Sequence, residues 1–201
     1  MPSITTRVAA VLAAAAAALF LSSCSSPASD GHTNPKESEQ PVITGQPAGY
    51  NADDVAFATN MIPHHQQAVE LSAMVPDRST NAELIDLAQQ ISGAQQPEIN
   101  VMKVFLVQWN ENPDTNSGHE GHGSTTAGMV DEATMTKLQS LNGADFDKLW
   151  LDSMISHHQG AIEMAKAEIA NGDNVDAKAL AQNIVTTQEA EIGQMKQMLG
   201  G

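Results

Sequence analysis

Paired histidines occur twice in this sequence, each time inside the same residue pattern. The first pattern, NMIPHHQQAVEL, spans residues 60–71, and the second, SMISHHQGAIEM, spans residues 153–164. In both, a methionine precedes the first histidine by three residues, so an α-helix places the methionine and both histidines on one face. Imidazole binds several transition metals, whereas a thioether selects copper, especially Cu(I). These residue types therefore predict a metal site, with copper as the metal.

The two patterns belong to a longer duplication with one constant spacing, from His64 to His157 (157 − 64 = 93 residues). At that spacing, residues 87–103 match residues 180–196, and both segments contain the pattern QxxEIxxMK. One register over two separate segments indicates a duplicated pair of helices. The candidate metal ligands are Met61, His64, His65, Glu98 and Met102 in the first copy, and Met154, His157, His158, Glu191 and Met195 in the second.

A carboxylate, Glu98 or Glu191, falls on the apolar face of the second helix of each copy. An unpaired buried carboxylate is too costly to keep, so it needs a metal, a cation or a hydrogen-bond donor beside it. Two explanations stay open: the histidines and glutamates ligate a metal, or they form a buried polar network that fixes the helix register. The recurrence of the whole set favours a metal.

Two further histidines, His119 and His122, lie in the segment GHEGHG between the copies. They either capture and transfer metal or are solvated loop residues. Gly123 stands where the HExxH motif of zinc proteases requires a histidine, so that enzyme class is excluded on this motif. Oxygen-activating di-iron chemistry is disfavoured as well, because di-iron bundles carry glutamate three residues before the histidine and this chain carries methionine.

The N-terminal residues resemble a bacterial lipoprotein signal. Residues 1–23 contain one basic residue, an apolar stretch and then Leu-Ser-Ser directly before Cys24, the single cysteine. The apolar stretch is shorter than a membrane-spanning helix requires. We expect cleavage before Cys24, lipid attachment to it, and a flexible tether over residues 24–52, which are rich in Ser, Pro and Gly. The alternative is an ordinary signal peptide, in which Cys24 is a cysteine with no role in lipid attachment.

The charge balance limits the partners of the protein. With 24 acidic and 9 basic residues, the formal net charge is −15. Such an excess of negative charge disfavours nucleic acid as a partner, and no polybasic patch is present to bind a membrane surface. Membrane attachment would therefore depend on the lipid at Cys24, and the expected partner is a metal ion, with no protein partner indicated.

Hydrophobic periodicity predicts an all-α fold, an up-down four-helix bundle built from two repeated helical hairpins. The first helix should have its N-cap at Asp53–Asp54 and should end before Pro76. Pro63 and Pro97 should bend the helices of the first copy only. The bundle domain is predicted over residues 53–199, with repeat 1 at 53–109, a linker at 110–130 and repeat 2 at 144–199, and with helices at about 54–75, 81–109, 131–140, 144–170 and 174–199.

Several of these motifs resemble a known bacterial family, called domain of unknown function 305. They are the doubled NMIPHHQQAVELSAM and SMISHHQGAIEMA segments, the segment GMVDEATM and the EIxxMK endings, and the resemblance covers about residues 53–199. It implies a ferritin-like bundle, and some members are associated with copper binding or copper tolerance outside the cytoplasm. By this likeness the metal would be held by Met61, His64, His65, Met154, His157 and His158.

Together these observations predict a lipid-anchored, extracytoplasmic protein that binds copper for sequestration, buffering or handover. A metal-dependent redox enzyme that uses the same ligands is one alternative. The other is a structural or interaction lipoprotein whose histidines and glutamates only stabilise the bundle. Because the sequence contains no phosphate loop, haem motif or recognisable catalytic triad, metal binding is favoured over catalysis.

Overall fold

The computed structural model describes residues 49–113 and 127–200, and these residues form helices joined by short connections. The predicted signal peptide, Cys24, most of the tether, and His119 and His122 lie outside the described residues. None of the helices in the described ranges is long and apolar enough to cross a membrane. The helices are α1 (Ala52–Arg78), α2 (Ala82–Gln108), α3 (Glu132–Ser140), α4 (Gly143–Asn171) and α5 (Val175–Gly200), and the last four begin and end within one residue of their predicted bounds.

The start of α1 differs from the prediction, because its N-cap is Asn51 rather than Asp53 or Asp54. The Asn51 side-chain oxygen accepts hydrogen bonds from the N–H groups of Asp53 and Asp54, at 2.8 and 3.1 Å. The Asp54 carboxylate in turn accepts a hydrogen bond from the Asn51 N–H at 2.6 Å. This reciprocal capping box pairs donors that the first turn of a helix otherwise leaves without partners.

The predicted end of α1 before Pro76 is wrong, since the helix continues through Pro76 to Arg78. A proline inside a helix removes one backbone hydrogen bond, a cost that favourable packing can offset. Val75, the neighbour of Pro76, is fully buried in the core. The N–H of Ser79 donates to the Val75 carbonyl at 2.9 Å and closes the last turn. Burial of Val75 and of Ser79, together with the hydrogen bond between them, therefore outweighs the local preference of proline, although Pro76 and Asp77 are themselves exposed.

The helices form two antiparallel hairpins, α1 with α2 and α4 with α5, as predicted. The hairpins meet mainly where α1 packs against α4, whereas α2 and α5 make little contact. The helices α1 and α4 run in opposite directions. His64 faces His157, and the indole N–H of Trp150, which precedes His157, donates to the carbonyl of Leu71, which follows His64, at 2.8 Å. Equivalent residues of the two copies thus meet at the centre, which is the pattern of an approximate twofold axis.

The core consists of two apolar clusters with polar residues between them. One cluster includes Leu71, Leu84 and Trp150, and the other includes Phe57 and Leu106. Along each long helix of the hairpins, the polar residues lie between members of the two clusters. We call these residues the polar layer; they are His64, His65, Gln95, Glu98, His157, His158, Gln188 and Glu191, and all but Glu98 are buried.

Candidate metal centre

Two histidines of the polar layer are each held by a glutamate of their own hairpin. We call His65–Glu98 and His158–Glu191 the hairpin pairs; their Nε2–carboxylate distances are 2.8 and 2.7 Å. Because a carboxylate only accepts hydrogen bonds, Nε2 of each ring carries the hydrogen and the lone pair lies on Nδ1. Both Nδ1 atoms are buried without a hydrogen-bond partner. Metal-binding histidines are commonly oriented in this way, by a carboxylate on the nitrogen that does not face the metal.

The other two histidines, His64 and His157, meet where α1 packs against α4, and we call them the crossing pair. Their ring centroids are 3.8 Å apart, with the planes inclined by 41°. The Nε2–H of His64 donates to the Ala127 carbonyl at 3.2 Å, so the lone pair of this ring lies on Nδ1. Nδ1 of His64 and both ring nitrogens of His157 are buried without a partner. The crossing pair therefore presents unpaired nitrogen atoms from both hairpins at one place.

Burial keeps the crossing pair neutral. It lowers the pKa of His64 to about 3, an effect to which His65 adds and which the hydrogen bond to Ala127 opposes. Burial, together with the nearby rings of His64, His158 and His65, holds the pKa of His157 well below its usual value, and a contact with the His64 backbone that is short of hydrogen-bond geometry opposes this effect in part. A neutral imidazole can offer its lone pair to a metal ion without first losing a proton.

The four predicted methionine ligands are all fully buried. Met61 and Met154 precede the crossing pair by one helical turn, and Met102 and Met195 follow the glutamates of the hairpin pairs by one turn. Within the described residues, no three His, Asp or Glu side chains are placed to hold a metal ion together. A metal in the polar layer would therefore need thioether sulfur beside imidazole nitrogen, a donor set that fits a soft ion such as Cu(I).

A non-helical segment, Ala127–Val130, crosses the outside of the crossing pair, and we call it the strap. The side chain of Gln67 holds it twice: Nε2 donates to the Val130 carbonyl and Oε1 accepts from the Val130 N–H, each at 2.8 Å. On α4 the strap lies so close that a Cβ at Gly160 would collide with the Ala127 carbonyl. Sequence reasoning missed the strap, although the second copy has glycine at 160 where the first has Gln67.

Two carboxyl groups, of Asp54 and Glu168, lie together at one end of the interface between α1 and α4. The Asp54 carboxylate accepts three backbone N–H groups at 2.6 to 3.1 Å. Burial raises the pKa of Glu168 to about 8. The hydrogen bond to Asp54 and the negative charge of Asp54 add to this effect, whereas the charge of Lys178 opposes it. Glu168 is thus protonated at neutral pH. No repeated motif marks this pair, because the position equivalent to Glu168 in the first copy is Val75.

The fold and the centre together define a class of protein: an all-α bundle of two hairpins with a buried layer of histidine, glutamate and glutamine, and with methionine one turn away. The sequence falls within one family of that description. This chain belongs to the family called domain of unknown function 305, whose sequence profile matches residues 54–199. The predicted family membership is thereby confirmed.

Solved structures of related proteins share this fold. A protein of this family from Streptomyces coelicolor, described as a candidate secreted protein, is 34% identical with a TM-score of 0.69, over 74% of this chain and 92% of that chain. A fragment from Deinococcus radiodurans is 31% identical with a TM-score of 0.67, over 75% of this chain and 97% of that one. CopM in its Cu(II)-bound form is 33% identical with a TM-score of 0.62, over 72% of this chain and 94% of CopM. CopM has also been solved in Cu(I)-bound, silver-bound and apo forms. No curated protein matches the chain.

Proposed function

We propose that this protein binds copper in its polar layer and serves to sequester, buffer or hand over the metal. The crossing pair supplies imidazole nitrogen from both hairpins, and His65 and His158 offer further nitrogen atoms through Nδ1, although no three His, Asp or Glu side chains of the described residues are placed around one ion. The thioethers of Met61, Met154, Met102 and Met195 complete the donor set, and the glutamates of the hairpin pairs orient the rings. Copper fits this set because it accepts both imidazole and thioether ligands.

One observation carries the proposal: five ring nitrogen atoms of the four histidines are buried without a hydrogen-bond partner. Buried polar atoms in folded proteins are nearly always paired, because an unpaired one loses its hydration with no return. Each ring can bind a metal ion through one nitrogen atom, so bound metal would give a partner to nitrogen atoms that a structural network of histidines leaves without one. The copper- and silver-bound forms of CopM, a protein with the same fold, give independent support.

The test is a Cu(I) titration against a competing chelator, with thermal melting at each step. We expect tight binding and a raised melting temperature, because a ligand that binds only the folded state stabilises it. Replacement of His64, His65, His157 and His158 by alanine should abolish both effects. The matched control replaces Glu70 and Glu163, which are exposed on the same two helices. A melting temperature of the unmodified protein that does not change with copper would instead favour a purely structural role for the histidines.

We further propose that the protein acts outside the cytoplasm and is anchored by lipid on Cys24, as the lipoprotein-like signal indicates. A single lipid-bearing residue beside a long polar tether would leave the bundle free to reach metal away from the membrane surface. Replacement of Cys24 by serine should move the protein from the membrane fraction to the soluble fraction of cells. Retention of that variant in the membrane fraction would show that the attachment has another origin.

A further inference from the structure

We propose that the strap is the gate through which metal enters and leaves the polar layer, and that Gln67 is the positioning residue that keeps this gate closed. This inference rests on the proposed copper binding, and it goes beyond it by naming the segment that controls exchange.

The four histidines are closed off from solvent in the described structure. His65, His157 and His158 are 0% exposed, and His64 is 2% exposed. A metal ion therefore cannot reach the unpaired ring nitrogens unless some part of the protein moves. Among the described residues, the candidates are the helices that pack around the crossing pair and the strap that lies across it.

The strap is the part that can move at the smallest cost. Displacing α1 or α4 would break up both apolar clusters, which contribute most of the stability of the bundle. Displacing the strap breaks two hydrogen bonds to Gln67 and one to His64, and it exposes Val130, which is 9% exposed when the strap is closed. Segments with few buried apolar contacts are the ones that open first in folded proteins.

The strap also lies directly against the backbone of the crossing pair. A Cβ at Gly128 would be 3.0 Å from the carbonyl oxygen of His157, and Gly128 has a φ of +75°, which a side chain would make unfavourable. Next to it, the Ala127 carbonyl accepts the hydrogen bond from His64. The strap thus contacts the Nε2 side of the His64 ring and the backbone of His157, so its opening would free one side of the crossing pair and give metal a way to the two rings.

The two copies of the histidine motif differ at the positions where they meet the strap. The first copy reads HHQQ and places Gln67 against Val130, whereas the second reads HHQG and places Gly160 under Ala127. One strap that crosses a twofold interface cannot contact both halves in the same way. One copy therefore supplies the side chain that holds the strap, and the other supplies the space in which it lies.

The experiment measures how fast an excess of chelator removes Cu(I) from the loaded full chain. Gln67→Leu removes both bonds to Val130 and keeps a side chain of similar size. We expect metal removal to accelerate roughly ten- to thirty-fold, the factor that two ordinary hydrogen bonds correspond to. Metal uptake should accelerate as well, so the affinity should change much less than either rate. Gln67→Glu keeps the oxygen that accepts from the Val130 N–H and should give an intermediate rate.

A second variant reaches the strap from the opposite side. Gly160→Ala places a Cβ against the Ala127 carbonyl, so it should displace the strap and accelerate removal while leaving Gln67 in place. The matched control is Gln66→Leu, at an exposed position beside Gln67, which should leave the rate unchanged. Hydrogen exchange at the Val130 amide gives a readout without metal, and it should be faster in both strap variants.

The two proposals fail in different ways. Faster exchange at Val130 with an unchanged rate of metal removal would overturn the gate and leave copper binding intact. A large loss of affinity with unchanged uptake would also overturn it, because Gln67 would then support the metal site itself. If the unmodified chain binds no Cu(I), the proposed function fails and the gate fails with it.

Discussion

The crossing pair and the hairpin pairs contain the same residue type, one position apart on the same helices, yet they are built differently. Each hairpin pair is complete within one hairpin, and the two are near copies, with distances of 2.8 and 2.7 Å. The crossing pair exists only when the hairpins pack together, and its two members differ: His64 has a partner in Ala127 and His157 has none. The duplicated sequence thus repeats what one hairpin makes alone, and it diverges where the hairpins meet.

The largest expected effect of this difference is on copper affinity. Replacing His64 and His157 by alanine removes the nitrogen donors that join the hairpins, whereas replacing His65 and His158 leaves that junction in place. We expect the first double variant to lose affinity by roughly 10³-fold or more, since even changes in residues that only orient the ligands cost roughly 10- to 100-fold. The second double variant should lose less. Competition with a chelator measures both, and an equal or larger loss in the second would place the metal at the hairpin pairs.

A smaller effect is expected on the stability of the metal-free protein, and its direction differs between the hairpin pairs and the crossing pair. His158→Leu leaves the Glu191 carboxylate without its donor, so it should lower the free energy of unfolding by about 2 kcal/mol. His157→Leu removes two buried nitrogen atoms that have no partner, so stability should stay the same or rise. Urea unfolding measures both changes. A large destabilisation by His157→Leu would mean that its ring is paired in solution.

The smallest expected effect is on the pH dependence of stability, which differs between His64, in the middle of the interface between α1 and α4, and Glu168, at its acidic end. The folded pKa of His64, about 3, lies below the ordinary 6.5, so its contribution to stability is present above pH 6.5 and is lost as pH falls toward 3. Glu168 acts oppositely: its folded pKa of about 8 exceeds the ordinary 4.5, so its contribution is present below pH 4.5 and is lost as pH rises through 8. Acidification from pH 7 to 6 therefore shifts these two contributions in opposite directions.

Variants separate the two contributions. In Glu168→Gln, which can still donate a hydrogen bond to Asp54, the metal-free protein should lose about 1 kcal/mol between pH 7 and 6. In the variant with leucine at 64 and 157, it should gain about the same amount over that interval. Urea unfolding at the two pH values measures both slopes. Slopes of the same sign in the two variants would contradict the assignment of the opposing groups.

Much of the fold follows from local sequence patterns. The spacing of apolar residues predicted the helices, and the constant register between the copies predicted two hairpins with histidine and glutamate in their core. These features depend on residues within one helix or one hairpin, where helical periodicity determines which side chains share a face. The positions of Met61, His64 and Glu191 in the core are therefore visible in the sequence, while their role as ligands stays a prediction.

The features that were missed depend on contacts between distant parts of the chain. Gln67 holds Val130 across 63 residues, and Asp54 lies beside Glu168 across an even longer separation. Neither contact leaves a periodic trace, because each involves one side chain at one place. The wrong end of α1 has the same origin, since burial of Val75 outweighs the local preference of Pro76. Sequence reasoning thus placed the candidate ligands in the bundle but missed the segment that covers the crossing pair.

The approximate twofold axis between His64 and His157 has a consequence for the origin of the chain. A residue that lies on such an axis contacts its own counterpart, as in the self-complementary interface of a symmetric homodimer. A single free-standing hairpin with one HH motif would therefore assemble the crossing pair only by dimerising, with each protomer giving one ring. Fusion of two such protomers into one chain makes the junction independent of protein concentration. It also lets the two halves differ, so that one asymmetric covering segment can be accommodated.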